Sequence, residues 1–113
     1  MAMRLRLDKP WRTLTAESAA ALPGQLGVYQ VADAGGAVLY IGQAGARSPF
    51  GLRSELQREH KERGDGCQFR VEVNQQYRSR WFELLMVHQA DHGSLPVDNA
   101  RNPPPNLGRL SPS

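Results

Sequence analysis

Two tyrosines stand out as residues that could do chemistry together. Tyr29 and Tyr40 lie in β-like segments on either side of a Gly-rich stretch. Across a two-residue turn at Ala34-Gly35 or Gly35-Gly36, paired residue numbers sum to 69 or 71, both odd, so the two phenols share one sheet face. Cross-strand aromatic pairs are also a common packing device. The tyrosines are therefore predicted to converge, either as packing partners or as part of a site.

A single carboxylate lies in an otherwise apolar helical segment. Six of the seven residues from Trp81 to Val87 are apolar, and the seventh is Glu83. Burying an unpaired carboxylate costs roughly several kcal/mol of free energy, because its solvation by water is lost. Glu83 therefore faces a narrow exposed seam, pairs with an arginine such as Arg80, or binds a cation.

Two further groups of polar residues occur at helical spacing. Arg53, Gln57 and His60 follow one another at i, i+4 and i+7, which forms a ridge on a helix surface. This ridge is either a solvated face or part of a site. His88 and His92 have the i, i+4 spacing of zinc ligands, but the sequence offers no evident third ligand, which favours surface histidines.

The elements that must position these residues predict an α+β fold. Alternating apolar residues and turn signals indicate a small, mainly antiparallel, three-stranded sheet packed with helices. The predicted strands cover residues 27–32, 37–42 and 68–73, and the predicted helices cover about 51–63 and 77–92. We divide the chain into an N-terminal arm that packs on the domain (1–24), the domain itself (25–99) and a Pro-rich C-terminal tail (100–113).

Composition narrows the classes of partner. The chain has 113 residues, a net charge of +3 and one cysteine, which excludes an internal disulfide and a cysteine zinc cluster. Arginine supplies 12 of the 14 basic residues, and its planar fork matches phosphate oxygens. No apolar run approaches the roughly 20 residues of a membrane span. We expect a cytoplasmic domain with no membrane partner, and a nucleic acid is compatible with its charge.

The two tyrosine segments resemble the signature of the GIY-YIG nuclease superfamily. The first is Gly27-Val28-Tyr29 and the second is Tyr40-Ile41-Gly42, with eleven positions between the tyrosines. Downstream, Arg53, Glu83 and the Pro96-x-x-Asn99 motif follow in the order that this superfamily shows. The resemblance covers about Gly27 to Asn99, which is most of the chain.

This resemblance implies a metal-dependent endonuclease that hydrolyses phosphodiester bonds, with DNA as the expected substrate. It assigns Glu83 to a single Mg²⁺ or Mn²⁺ ion, Arg53 to the scissile phosphate, and Tyr29 and Tyr40 to activating or positioning water. It also places Gly42 and Asn99 against the substrate. A phenol with a pKa of about 10 needs a nearby cation or hydrogen bond to serve as a base.

One departure from the superfamily pattern supports a different hypothesis. Many members have His or Tyr four residues after the arginine, where this chain has Gln57, which cannot exchange a proton at neutral pH. The alternative is a weakly active or inactive module that binds nucleic acid or a protein partner. A third interpretation is purely structural, with packed tyrosines and Glu83 paired to Arg80. The nuclease hypothesis requires Tyr29, Tyr40, Arg53 and Glu83 to converge on one concave basic surface, and it fails if Glu83 points away from the tyrosines.

Overall fold

The computed structural model describes residues 5–102. A four-stranded antiparallel sheet lies between helices, so the α+β prediction is confirmed. In chain order the elements are β1 (Arg12–Thr13), α1 (Ala16–Ala20), β2 (Gly27–Ala32), β3 (Val38–Ala44), α2 (Gly51–Arg63), β4 (Gln68–Val73), α3 (Tyr77–His92) and α4 (Val97–Ala100). The strand order across the sheet is β1-β4-β2-β3.

The prediction of three strands was wrong by one strand, because the N-terminal arm contributes to the sheet. Arg12 and Thr13 pair with Phe69 and Gln68 of β4. A two-residue strand has no alternation of apolar and polar residues, so its sequence carries no β signal. The arm continues into α1, whose first turn is capped by the Thr15 side chain accepting from the backbone N–H of Ser18.

The β2–β3 hairpin has the second of the two expected registers. Tyr29 pairs with Gly42 and Val31 pairs with Tyr40, so the paired numbers sum to 71 along most of the hairpin. The prediction of a two-residue turn was wrong. A bulge shifts the register at Ala32, and the chain reverses over residues 33–37. Asp33 stabilises this longer turn, where its Oδ1 accepts from the N–H groups of Gly35 and Ala37.

The sheet separates two apolar cores. On one face, side chains of β2 including Tyr29 and Val31 pack against Leu52 and Leu56 of α2 and against the N-terminal arm. On the other face, Val28 and Ile41 pack against Leu84 and Leu85 of α3. The helices α2 and α3 have the predicted bounds, and each ends at a glycine with positive φ.

The chain after α3 forms the short helix α4, which the sequence analysis did not predict. Pro96 and Asn99 are both buried there, and α4 packs beside β3. Most of the predicted Pro-rich tail, residues 103–113, lies outside the described residues.

Candidate functional site

Tyr29 lies at the centre of a buried polar network. Its side chain is 1% exposed, and its hydroxyl donates to Oε2 of Glu59 at 2.7 Å. The Tyr40 ring lies 6.0 Å away, centroid to centroid, on the same sheet face, so the predicted convergence of the two tyrosines is confirmed. A Cβ atom at Gly42 would lie 2.3 Å from the Tyr29 ring. Glycine therefore allows the phenol to lie flat across β3.

Glu59 is the residue of this network that sequence reasoning missed. It is 2% exposed and also accepts from Nε of Arg63 at 2.8 Å, while Arg63 pairs with Asp98 of α4 at 2.8 Å. Its position is i+7 from Leu52 and i+3 from Leu56, on the apolar stripe of α2. A charged residue on that stripe was the available signal for a buried, partnered carboxylate.

Burial makes both tyrosines hold their protons more tightly. It raises the pKa of Tyr29 well above its usual value, and the neighbouring charge of Glu59 raises it further. Burial likewise raises the pKa of Tyr40, with Glu59 contributing in the same direction. The Tyr29 phenol is thus a neutral donor to a carboxylate, which is the opposite of the polarity that a general base requires.

Arg53 is turned away from the tyrosines. Its Nε donates to the backbone oxygen of Leu22 at 2.9 Å, and its guanidinium lies 5.8 Å from the centre of the Phe50 ring. Gln57 is exposed on α2. Arg58 approaches the Tyr29 hydroxyl instead, at 3.4 Å from its Nη2. The predicted polar ridge of α2 is therefore not the face that meets the tyrosines.

Glu83 lies on the far side of the sheet from Tyr29. It accepts from Nη1 of Arg80, whose Nε donates to Glu72 of β4 at 2.9 Å. Glu72 is paired with Val28, so its side chain is on the face opposite Tyr29. The structure therefore brings Tyr29 and Tyr40 together and leaves Arg53 and Glu83 apart from them.

A Mg²⁺ or Mn²⁺ ion does not fit the surroundings of Glu83. The nearest charge to its carboxylate is the Arg80 guanidinium, which a metal ion would have to displace. The second carboxylate at this position, Glu72, is bound to the same guanidinium, which helps to lower its pKa although burial acts in the other direction. Within residues 5–102, no group of three or more His, Cys, Asp or Glu side chains is placed to hold a metal ion. His88 and His92 therefore have no third ligand of these types in that part of the chain.

Asn99 closes part of the outer edge of β3. Its Oδ1 accepts from the N–H of Ile41 at 2.8 Å, and its Nδ2 donates to the C=O of Ile41 at 2.9 Å. Trp81 of α3 also donates its Nε1–H to this C=O, at 2.8 Å. Asn99 is thus a structural partner of the strand, a role that the sequence analysis did not assign to it.

A groove runs along this edge, and we call it the β3-edge groove. Its first depression is lined by residues that include Tyr40, Gln43, Arg58, Glu59, Trp81 and Asn99. Its second depression is lined by residues that include Gln43, Gly45, Arg47, Glu55, Tyr77 and Arg78. Gln43 borders both depressions, so they form one continuous surface feature.

The two depressions differ in their charge balance. In the first, the arginines are paired: Arg58 with Glu55 and Glu62, and Arg63 with Glu59 and Asp98. In the second, Arg47 and Arg78 are exposed, and neither pairs with a carboxylate of the described part of the chain. Of the two depressions, the second is therefore the one whose arginines keep their charge uncompensated by carboxylates of the described residues.

The fold and the groove define a small α+β domain with a basic, aromatic-lined edge. The chain belongs to the family described as a domain of unknown function, DUF7508, which matches residues 3–91. No curated protein and no solved structure matches the chain. Within residues 5–102, the helices are all too short or too polar to cross a membrane.

Proposed function

We propose that this domain is a GIY-YIG-like module that binds nucleic acid in the β3-edge groove and does not cleave it with a metal ion at Glu83. The observation that carries the proposal is the pair of exposed arginines, Arg47 and Arg78, at the second depression. Guanidinium groups without a carboxylate partner are ready to bind phosphate oxygens in a bidentate manner. The backbone of a nucleic acid presents such oxygens at regular intervals.

The acidic residue that lines this depression, Glu55, does not cancel the charge of the two arginines. Glu55 accepts from Arg58 at 2.7 Å and from the Ser48 hydroxyl at 2.7 Å, so its carboxylate is already satisfied. A phosphate at Arg47 and Arg78 therefore meets two cations and a neutralised carboxylate. Tyr77 lines the same depression and offers an aromatic face next to the basic groups.

The GIY-YIG-like scaffold is supported by the hairpin that carries both tyrosines. Tyr29 and Tyr40 share a face and Gly42 gives the Tyr29 phenol room, so the two segments that carry the resemblance lie side by side. The hydrolytic machinery that the same resemblance implies is not supported, because Glu83 is bound to Arg80 and Arg53 is bound to Leu22. A binding module accounts for both observations.

Equilibrium binding of labelled single-stranded, duplex and branched DNA and of single-stranded RNA tests the proposal. We expect affinity to fall steeply with salt for at least one of these ligands. The variant with Arg47→Gln and Arg78→Gln should weaken binding. Two lost phosphate contacts should reduce the slope of log K against log salt by about 1.4 for a single strand and by about 1.8 for a duplex. The matched control is Arg12→Gln with Lys61→Gln, since it also removes two positive charges and neither residue lines the groove. Equal affinities of the Arg47/Arg78 variant and this control would overturn the proposal.

A nicking assay separates binding from cleavage. Supercoiled plasmid and branched DNA are incubated with the protein and Mg²⁺ or Mn²⁺, beside Glu83→Ala. We expect no metal-dependent nicking above that of the variant. Metal-dependent nicking that is lost in Glu83→Ala would establish the endonuclease in place of the binding module.

A further inference from the structure

Gln43 presents one unused pair of backbone hydrogen-bonding groups at the edge of the sheet. In an antiparallel pair, alternate residues of an edge strand direct both their N–H and their C=O away from the partner strand. Ile41 is such a residue, because its two groups bind the Asn99 side chain. Gln43 lies two residues further along β3 and is paired with Val28, so its N–H and C=O point outward in the same way. In the described part of the chain nothing binds these two groups.

Asn99 shows which kind of group this edge binds. Its planar carboxamide uses one acceptor and one donor, side by side, to bind the two groups of Ile41 at 2.8 and 2.9 Å. The outward N–H and C=O of Gln43 have the same arrangement as those of Ile41, two residues further along β3. A ligand for Gln43 therefore needs an adjacent acceptor and donor in one plane.

The unused position at Gln43 is bounded on both sides, which excludes the addition of a peptide strand there. On one side, the outward groups of Ile41 are occupied by Asn99. On the other side, the C=O of Gly45 accepts from the N–H of Ser48 at 3.0 Å and the chain turns away. A strand needs a series of outward pairs, whereas one planar group needs only one.

The surroundings of Gln43 match the remaining parts of a nucleotide. Trp81 and Tyr77 lie one helical turn apart on α3, and they line the depressions on the two sides of Gln43. Aromatic faces at these positions can stack with a base. Arg47 and Arg78 line the second depression, within the reach of a neighbouring phosphate.

We propose that the backbone N–H and C=O of Gln43 bind the edge of one unpaired nucleobase of a single-stranded nucleic acid, with its flanking phosphate at Arg47 and Arg78. All four common bases carry an acceptor next to a donor on the edge that pairing uses, so the site selects for an unpaired base and not for a particular sequence. This inference rests on the proposed function, since it names the form of nucleic acid that the β3-edge groove takes.

Comparison of a base-bearing strand with an abasic strand of equal length tests the inference on the unmodified protein. Both strands present the same phosphates, and only one presents bases. We expect the abasic strand to bind about tenfold more weakly, at the scale of one two-hydrogen-bond contact with stacking. Equal affinities would overturn the base site and leave the phosphate-binding proposal intact. No binding of either strand would overturn the base site, and it would overturn the phosphate-binding proposal as well if duplex and branched DNA also fail to bind.

Two substitutions at position 43 separate the backbone from the side chain. Gln43→Pro removes the outward N–H at an edge position that tolerates proline, and Gln43→Ala keeps that N–H while removing the side chain. We expect Gln43→Pro to bind the base-bearing strand about as weakly as the abasic one, and Gln43→Ala to keep the affinity difference between the two strands. A backbone amide NMR titration of the wild type gives a readout independent of folding in the variants. If the Gln43 N–H signal does not move with the base-bearing strand, the inference is wrong.

Discussion

Tyr29 and Glu59 form a hydrogen bond beside the first depression of the β3-edge groove, which Glu59 lines, and both side chains are almost fully buried. A buried carboxylate depends on its donors because water cannot replace them. Glu59 has two such donors, Tyr29 from β2 and Arg63 from α2. The pair therefore joins the sheet to the helix through polar contacts within an apolar core.

Removing the Tyr29 hydroxyl should destabilise the fold. Tyr29→Phe leaves Glu59 with one donor fewer, and we expect the free energy of unfolding to fall by about 1–3 kcal/mol. Tyr40→Phe is the matched control, because the Tyr40 hydroxyl has no hydrogen-bond partner within residues 5–102. Urea unfolding of the two variants and the wild type measures the difference. Equal effects of the two substitutions would contradict the role given to the Tyr29–Glu59 bond.

Tyr29 should also make stability depend on pH in the alkaline range. Burial raises the pKa of Tyr29 in the folded state, while the unfolded phenol has a pKa of about 10. The folded state therefore holds the proton more tightly, and stability falls as pH rises above about 10. We expect a smaller alkaline loss in Tyr29→Phe. Urea unfolding from pH 8 to 11 checks this, and parallel curves for the two proteins would contradict it.

The site could be predicted only in part, for reasons visible at single residues. The odd sum of paired residue numbers was enough to place Tyr29 and Tyr40 on one face. For Arg53, helical spacing gave its neighbours on α2 but not the direction of a long side chain, which turns to Leu22. For Glu83, pairing with Arg80 was one of three alternatives that the sequence left open. The contact of Arg80 with Glu72 depends on a strand register, which helical spacing cannot supply.

The elements around the groove are held together by the contact of α4 with the edge of β3. Asn99 replaces a neighbouring strand over one residue, so α4 packs against the sheet through side-chain hydrogen bonds. We expect Asn99→Ala to lower the free energy of unfolding by about 1–3 kcal/mol and to expose the Ile41 N–H to hydrogen exchange. Asn102→Ala, at an exposed position just after α4, serves as control. Unchanged protection of Ile41 in Asn99→Ala would contradict the arrangement.

The elements themselves were mostly predictable because their signals are local. Both long helices have the expected bounds, since glycine ends each of them and apolar residues recur along each of them. The strand β1 and the helix α4 were not predicted. Each is short, and each is formed by partners distant in sequence, β4 for one and β3 for the other.

At the scale of the whole molecule, Arg80 joins α3 to β4 and to the N-terminal arm, whose Leu5 lies 75 residues away in the chain. It is 8% exposed and binds Glu72 of β4, Glu83 of α3 and the backbone oxygen of Leu5. Its pKa is raised because the contacts with the two carboxylates outweigh the opposing effect of burial. Arg80 thus fixes the N-terminal arm and α3 against the sheet.

Loss of Arg80 should therefore weaken the entire fold. Arg80→Met leaves Glu83 and the backbone oxygen of Leu5 without this donor and leaves Glu72 with Asn74 alone, and we expect a cost of about 2–3 kcal/mol. Arg6→Met is the control, since Arg6 pairs with Asp91 of α3 from an exposed position and should change stability little. Thermal unfolding of both variants measures this. A Tm for Arg80→Met no lower than that of Arg6→Met would show that Arg80 does not connect these segments.

The positions of the two tryptophans give the molecule a fluorescent reporter of its own groove. The indole N–H of Trp81 donates to the C=O of Ile41 beside the first depression. The Trp11 ring instead stacks with Arg70 of β4, whose guanidinium carbon lies 4.0 Å from the centre of the ring. These are the two tryptophans of the chain, so Trp11→Phe would leave emission from Trp81 alone. A base stacking in the groove should quench that emission, and its occupancy could then be followed without any attached label.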